Sequence, residues 1–104
     1  LVERLLTDPV VPRAIAAKRR FTELPILFRE GDALVEGKID LLFEEEDGWV
    51  LVDWKTDRVD TAAERAAREA VYAPQLRAYA RGIEALLPGA RVKESLLVFA
   101  RSRA

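Results

Sequence analysis

Residues Gly37 to Asp57, GKIDLLFEEEDGWVLVDWKTD, decide how this chain folds. Two apolar runs rich in strand-forming residues flank Glu46-Asp47-Gly48, a turn signal, so the runs are expected to be antiparallel neighbours. In the second run Trp49, Leu51, Asp53 and Lys55 alternate with Val50, Val52, Trp54 and Thr56. Both faces of that run are apolar until the polar residues begin. Such a pattern marks a central strand that is covered on both sides and opens into a site at its carboxyl end. Strict alternation in the first run puts Val35, Ile39, Leu41 and Phe43 on one face and Leu34, Glu36, Lys38, Asp40 and Leu42 on the other. Asp40 is therefore expected to point away from the more apolar side.

Working outward, FTELPILFRE (21–30) is a further strand, separated by Gly31-Asp32 from ALVEGKIDLLFEE (33–45). With GWVLVDWKT (48–56) it completes a three-strand meander. The segment from Pro9 to Arg20 reads as a helix, with Pro12 suited to its first turn. Leu1 to Leu6 read as the tail of an earlier element. Beyond Asp57 the run AAERAAREA is a strong helix former, with Asp60 or Thr61 as its cap. Pro74 is expected to break that helix or start another, which runs to Pro88-Gly89 with Leu76, Ala80, Ile83 and Leu87 as its apolar stripe. Tyr72, Gln75 and Tyr79 fall on a neighbouring stripe. The last strand, VKESLLVFA (92–100), follows a helical crossover and should lie parallel to the third. The expectation is an α/β domain, a mixed sheet of about four strands flanked by helices in the order α-β-β-β-α-β.

With 104 residues, half of them hydrophobic, the chain has room for one core. Residues 1–20 read as a helical remnant and 21–104 as the domain proper. A start at Leu1 and the absence of methionine suggest a piece cut from a longer protein. No apolar run approaches the roughly 20 residues of a membrane span, and no leader is evident, so a cytoplasmic protein without membrane contact is expected. The absence of cysteine rules out a disulfide framework and a Cys-ligated zinc or iron–sulfur cluster. Without histidine, chemistry must rest on carboxylates, lysine, tyrosine or a hard metal ion. The net charge of −1 advertises no polyanionic partner, so any nucleic-acid contact must be local or assisted.

The informative residues are Gly37, Asp40, Asp53, Lys55, Gln75 and Tyr79. Taken singly, a strand-end Asp is a solvated terminus and Asp-x-Lys an ordinary surface pair. Together they say more, because the hairpin should bring Asp40 and the Asp53/Lys55 pair to one face. Two carboxylates converging there would repel unless a cation lay between them. Mg²⁺ or Mn²⁺ suits such hard oxygen ligands. A lysine beside the ion can orient water or neutralise charge growing on a phosphorane.

GKIDLLF, then DWKTD thirteen residues after its Asp, then YAPQLRAYA, resembles the RecB/AddA-type nuclease domain at the carboxyl end of bacterial helicase-nucleases, within the PD-(D/E)XK superfamily. The resemblance covers about Phe21 to Ala100 and implies a restriction-endonuclease-like core. It implies that Asp40 and Asp53 bind Mg²⁺ or Mn²⁺, with the main-chain carbonyl of Trp54 as a further ligand, and that Lys55 is catalytic. Gln75 and Tyr79 match the Gln-x-x-x-Tyr motif beside the active centre, and Tyr72 joins them in supporting the site or the DNA. DWK stands where DYK is usual, with an aromatic retained. An upstream helix with a further metal ligand, often histidine, is also usual, and this chain has no histidine to match it. Glu23 stands where an acidic residue is common in the first strand, although as a residue it reads as a strand-edge charge. The function implied is metal-dependent DNA phosphodiester hydrolysis in double-strand-break repair. Its partners would be single-stranded DNA ends and the rest of a helicase-nuclease, whose motor part alone would use ATP.

Two rivals are a nuclease-like module that binds DNA or docks a subunit without cutting, and a docking domain whose polar residues form a buried ion network. Lys18-Arg19-Arg20 reads as a complement to a helix dipole before a phosphate contact. Trp49 reads as packing, and Arg77 and Arg81 as a solvated helix face or DNA-facing charges.

Overall fold

In the computed structural model, which describes residues 8–102, the strands form a single four-stranded sheet in the order β1-β2-β3-β4. A short helix α1 (Val10–Ala16) precedes β1 (Arg20–Glu30), β2 (Ala33–Glu45) and β3 (Gly48–Val59); a long helix α2 (Ala62–Leu86) then leads to β4 (Val92–Ser102). The first three strands are antiparallel neighbours and β4 runs parallel to β3, as the helical crossover requires. The expected α/β order is therefore the observed one. Residues Leu1 to Leu6, read above as the tail of an element, lie outside the described residues.

The sheet separates two apolar layers. On one side Ile26, Phe28, Ile39, Leu42, Trp49 and Leu51 pack with Leu76, Tyr79 and Ile83 of α2. On the other, Leu41, Phe43, Val50, Val52 and Val98 pack with Val10 and Ala14 of α1. Val50, Leu51 and Val52 are fully buried, because β3 is covered on both faces. Burying each such side chain contributes roughly 1.5–3 kcal/mol.

The ladders have unequal lengths, and that inequality opens a fork in the sheet. β1 pairs with β2 from Arg20↔Phe43 to Glu30↔Ala33, and β3 with β4 from Trp49↔Val92 to Val59↔Ser102. β2 and β3 pair only from Glu45↔Gly48 to Leu41↔Val52. One step further stand Asp40 and Asp53, and there the sheet forks.

Strict alternation fails in β2 at that step. Val35 and Ile39 lie on the α2 side with Leu42, whereas Leu41 and Phe43 lie on the α1 side. The single face expected for Val35, Ile39, Leu41 and Phe43 is thus divided at Asp40. A backbone irregularity in β1 lies opposite it. Glu23, between Thr22↔Leu41 and Leu24↔Ile39, has φ 50, a left-handed conformation that costs a non-glycine residue roughly 1–2 kcal/mol. That residue reverses the pleat, so Leu24 joins the α2 layer along with Phe21, whose ring stacks on Trp49. The Glu23 side chain is exposed and meets Lys38 at 3.6 Å, the strand-edge charge anticipated.

Both helices differ from the sequence expectation. α1 ends at Ala16, not Arg20, because Ala17 is already extended to feed β1. Arg19 instead pairs with Glu44 through two bonds of 2.8 Å, while Arg20 donates to the Ile15 carbonyl at the helix end. α2 runs unbroken through Pro74. A proline in a helix interior costs about 3 kcal/mol, and two features of α2 oppose that cost. At its start Thr61 Oγ1 accepts from the Glu64 N–H at 3.1 Å, and Glu64 accepts in return from Asp60 N. After Pro74, Leu76, Tyr79, Gly82 and Ile83 are buried against the sheet. Before it, residues 62–71 are exposed except for half-buried Arg65.

Two close contacts fix where α2 sits. A Cβ at Gly82 would lie 2.6 Å from ring carbons of Phe28, and a Cβ at Gly37 would lie 2.7 Å from Cζ of Tyr79. Glycine in these places lets a ring approach backbone, which is why a strand interior tolerates it at 37.

Candidate active site at the fork of the sheet

Where β2 and β3 separate, Asp40 takes over the job of the missing ladder. Its Oδ2 accepts the Trp54 N–H at 2.8 Å. A strand residue directs N–H and C=O toward the same neighbour, so the Trp54 carbonyl also faces the fork. Asp53, one residue back, is 7% exposed and the one charged side chain in the buried core of the described residues. Its carboxyl is pushed up to about 6, first by burial and next by the Asp40 carboxylate beside it, while Lys55 draws it down. Lys55 Nζ stands 2.8 Å from Asp53 Oδ2. By its angles the approach is a charge contact, and among the described residues that buried oxygen has no aligned hydrogen-bond donor.

Helix α2 closes the other side. Lys55 Nζ donates to Gln75 Oε1 at 3.3 Å and lies 4.1 Å from the centre of the Tyr72 ring. Gln75 Nε2 in turn donates to the Tyr79 hydroxyl at 3.4 Å. Tyr79 has two roles, since it is buried within the α2 layer, 8% exposed, while its hydroxyl reaches the polar cluster over Gly37. The Tyr72 hydroxyl donates to Asp57 at 2.9 Å, and that bond raises its pKa above the ordinary tyrosine value.

The fork thus gathers every residue singled out for the site: Asp40, Asp53, Lys55 and the main chain of Trp54 from the sheet, and Tyr72, Gln75 and Tyr79 from the helix. The other candidates lie elsewhere. Trp49 is buried packing with the Arg19 guanidinium over it, Arg81 pairs with Glu30, and Arg77 is exposed. Sequence reasoning gave Asp57 no role of its own, although it closes the DWKTD motif. No periodicity joins residue 57 to residue 72, because the helix brings them together only after a turn.

A divalent cation can be tested against this donor set. Two converging carboxylates, one with a buried oxygen lacking an aligned donor, and a main-chain carbonyl are hard oxygen ligands of the kind Mg²⁺ and Mn²⁺ take. They fit. The set is small, since among the described residues no group of three or more His, Cys, Asp or Glu stands together.

A strand-borne Asp, a second Asp followed by x-Lys on the neighbouring strand, and a flanking helix define a nuclease core, and the profile of the PD-(D/E)XK nuclease superfamily matches residues 2–103. The chain belongs to that superfamily. Its relatives include proteins whose names describe the A-type subunit of an ATP-dependent helicase/nuclease. The one from Carboxydothermus hydrogenoformans is 38% identical over 94% of this chain and 9% of its own length. The one from Desulforudis audaxviator is 52% identical over 65% of this chain and 5% of its own length. A third, from Acetivibrio thermocellus, is 35% identical over 92% of this chain and 9% of its own. The chain therefore spans less than a tenth of each of these relatives. Among the described residues no helix is long and apolar enough to cross a membrane.

Proposed function

We propose that this chain hydrolyses DNA phosphodiester bonds with the aid of a divalent metal ion, as the nuclease module of a helicase-nuclease that processes DNA ends in double-strand-break repair. The observation that carries the reading is the meeting of Asp40, Asp53 and Lys55 at the fork, with one Asp53 oxygen buried and unaligned to any donor. Asp40, Asp53 and the Trp54 carbonyl would hold Mg²⁺ or Mn²⁺. Bound there, such an ion offsets the two carboxylates and polarises a phosphoryl oxygen as a Lewis acid.

The chain's own residues supply the rest. Lys55, its side chain 18% exposed, presents a compact ammonium where charge grows on the phosphorane as the attacking oxygen arrives. Gln75 accepts a hydrogen bond from it and Asp53 lies against it on another side, which leaves an N–H for substrate or water. The low exposure of Asp53 excludes bulk water and strengthens each charge interaction nearby. The neutral net charge is consistent with a motor elsewhere in a larger assembly delivering single-stranded ends.

A second reading, a nuclease-like module that binds DNA or docks a subunit without cutting, draws support from the two-carboxylate donor set. Incubation with linear single-stranded DNA in Mn²⁺ and then in EDTA separates the two. The nuclease reading expects Mn²⁺-dependent products, from this chain or from a longer polypeptide with an upstream helix, and none from Lys55→Ala. DNA retention without products in every case would leave the binding module standing.

A further inference from the structure

Among the described residues the Lys55 ammonium meets Asp53, Gln75 and Tyr72, and one of them differs in kind. Asp53 and Gln75 contact it through polar atoms, whereas Tyr72 offers the face of its ring at 4.1 Å. A ring face attracts a cation without taking its protons, so it holds an ammonium in place while leaving its N–H groups directed elsewhere. A tyrosine on a half-exposed helix surface would ordinarily rotate among its side-chain wells. Tyr72 is tied down. Its hydroxyl donates to both carboxylate oxygens of Asp57, at 2.9 and 3.0 Å, and Arg68 approaches Asp57 Oδ2 at 3.7 Å. Asp57 itself sits on β3, two residues beyond Lys55, on the same strand as the two groups that must stay aligned.

We propose that Asp57 is a positioning residue: by accepting the Tyr72 hydroxyl it locks that ring beneath Lys55 and so fixes the ammonium over the Asp40/Asp53 pair. The inference rests on the nuclease reading for its consequence and on geometry alone for its placement. A merely structural Asp57 would join β3 to α2 without controlling where Lys55 points.

The ring current of Tyr72 offers a readout independent of cleavage. The chain has four lysines, Lys18, Lys38, Lys55 and Lys93, so their ε-methylene resonances can be assigned one by one in ¹³C-labelled protein. Lys55 is expected upfield of the other three, and Tyr72→Leu is expected to abolish that displacement. Asp57→Ala and Tyr72→Phe, each lacking the anchor, should shrink it, while Asp57→Asn, which retains an acceptor oxygen, should restore it. Cleavage by Asp57→Ala should fall about 10- to 100-fold in kcat with KM little changed, the loss typical of a misplaced group, and Asp57→Asn should recover it. An upfield displacement that survives in Asp57→Ala overturns the proposal, whether or not DNA is cut. If the displacement follows the anchor while no variant or parent cuts DNA, the placement of Lys55 is upheld and the nuclease reading is the part that fails.

Discussion

Two clusters of charge lie at opposite ends of the β2–β3 ladder, one beside the hairpin turn and one at the fork, and they are built on opposite terms. At the turn Arg13 of α1 bonds Glu45 at 2.8 Å and Glu94 at 2.7 Å, and Lys93 reaches both Glu45 and Asp47. Three acids there share two bases, every acid is bonded to at least one of them, and Glu45 is held down at about 2 by its hydrogen bonds to Arg13 and Lys93. At the fork two acids share one lysine in a drier setting, and Asp53 is pushed up to about 6. The first arrangement stabilises the fold; the second opposes it and persists because the surrounding core holds it. Size does not separate them. A groove of about 940 Å³ opens beside the turn cluster, lined by Arg13, Lys18 and Glu44 to Asp47, and no feature of it suggests catalysis.

That contrast can be broken most forcefully at Asp53. Asp53→Ala should lower DNA cleavage by about a hundredfold to a thousandfold or more while circular dichroism reports an intact fold. Wild-type rates would refute the assignment. Asp53→Asn sharpens the comparison through stability. A carboxyl whose native pKa exceeds its unfolded value near 4 binds a proton on folding, so the wild type loses stability as pH rises from about 4 through 6. The Asn variant should accordingly unfold later than wild type at pH 7, by up to about 3 kcal/mol, and the gap should close below pH 4. An unchanged gap across urea melts at the two pH values would show that Asp53 is not strained.

A smaller effect is expected at Gly37→Ala, where the new methyl would meet the buried Tyr79 ring. Overpacking of this kind costs about 1–3 kcal/mol and should lower Tm; a Tm equal to wild type would mean that α2 can shift. Glu45→Gln is the mildest test. With Glu45 depressed in the native state, its contribution is complete above the usual glutamate pKa and disappears as pH falls toward 2, so this variant should flatten the acid limb of the stability curve. At pH 7 it should cost no more than about 1 kcal/mol and leave cleavage unchanged, as exposed ion pairs do.

The meander, the parallel fourth strand and the buried central strand were legible because period-two alternation and short turns are local properties of the chain. So was the pairing of Asp40 with Asp53 and Lys55, which needs only a hairpin of known register. Three features were not legible. The pleat reversal at Asp40 lies opposite the left-handed backbone of Glu23 on another strand, and no side-chain pattern announces either. The passage of α2 through Pro74 depends on tertiary packing of Leu76, Tyr79 and Ile83, which outweighs a local propensity. The end of α1 at Ala16 depends on where β1 must begin, since alanines and basic residues beyond it are all acceptable in a helix.

The two ring-over-glycine contacts interlock in opposite senses: Phe28 of the sheet seats in a notch on the helix at Gly82, and Tyr79 of the helix seats in a notch on the sheet at Gly37. Like a pair of dowels entering from opposite boards, they resist sliding along the joint in both directions. The Lys55 ammonium touches Gln75 and Tyr72 of the helix and the carboxylates belong to the strands, so the alignment of the groups proposed to react is a matter of joinery between sheet and helix. A side chain added at either notch would therefore disturb the proposed chemistry from a distance, with no charged residue touched.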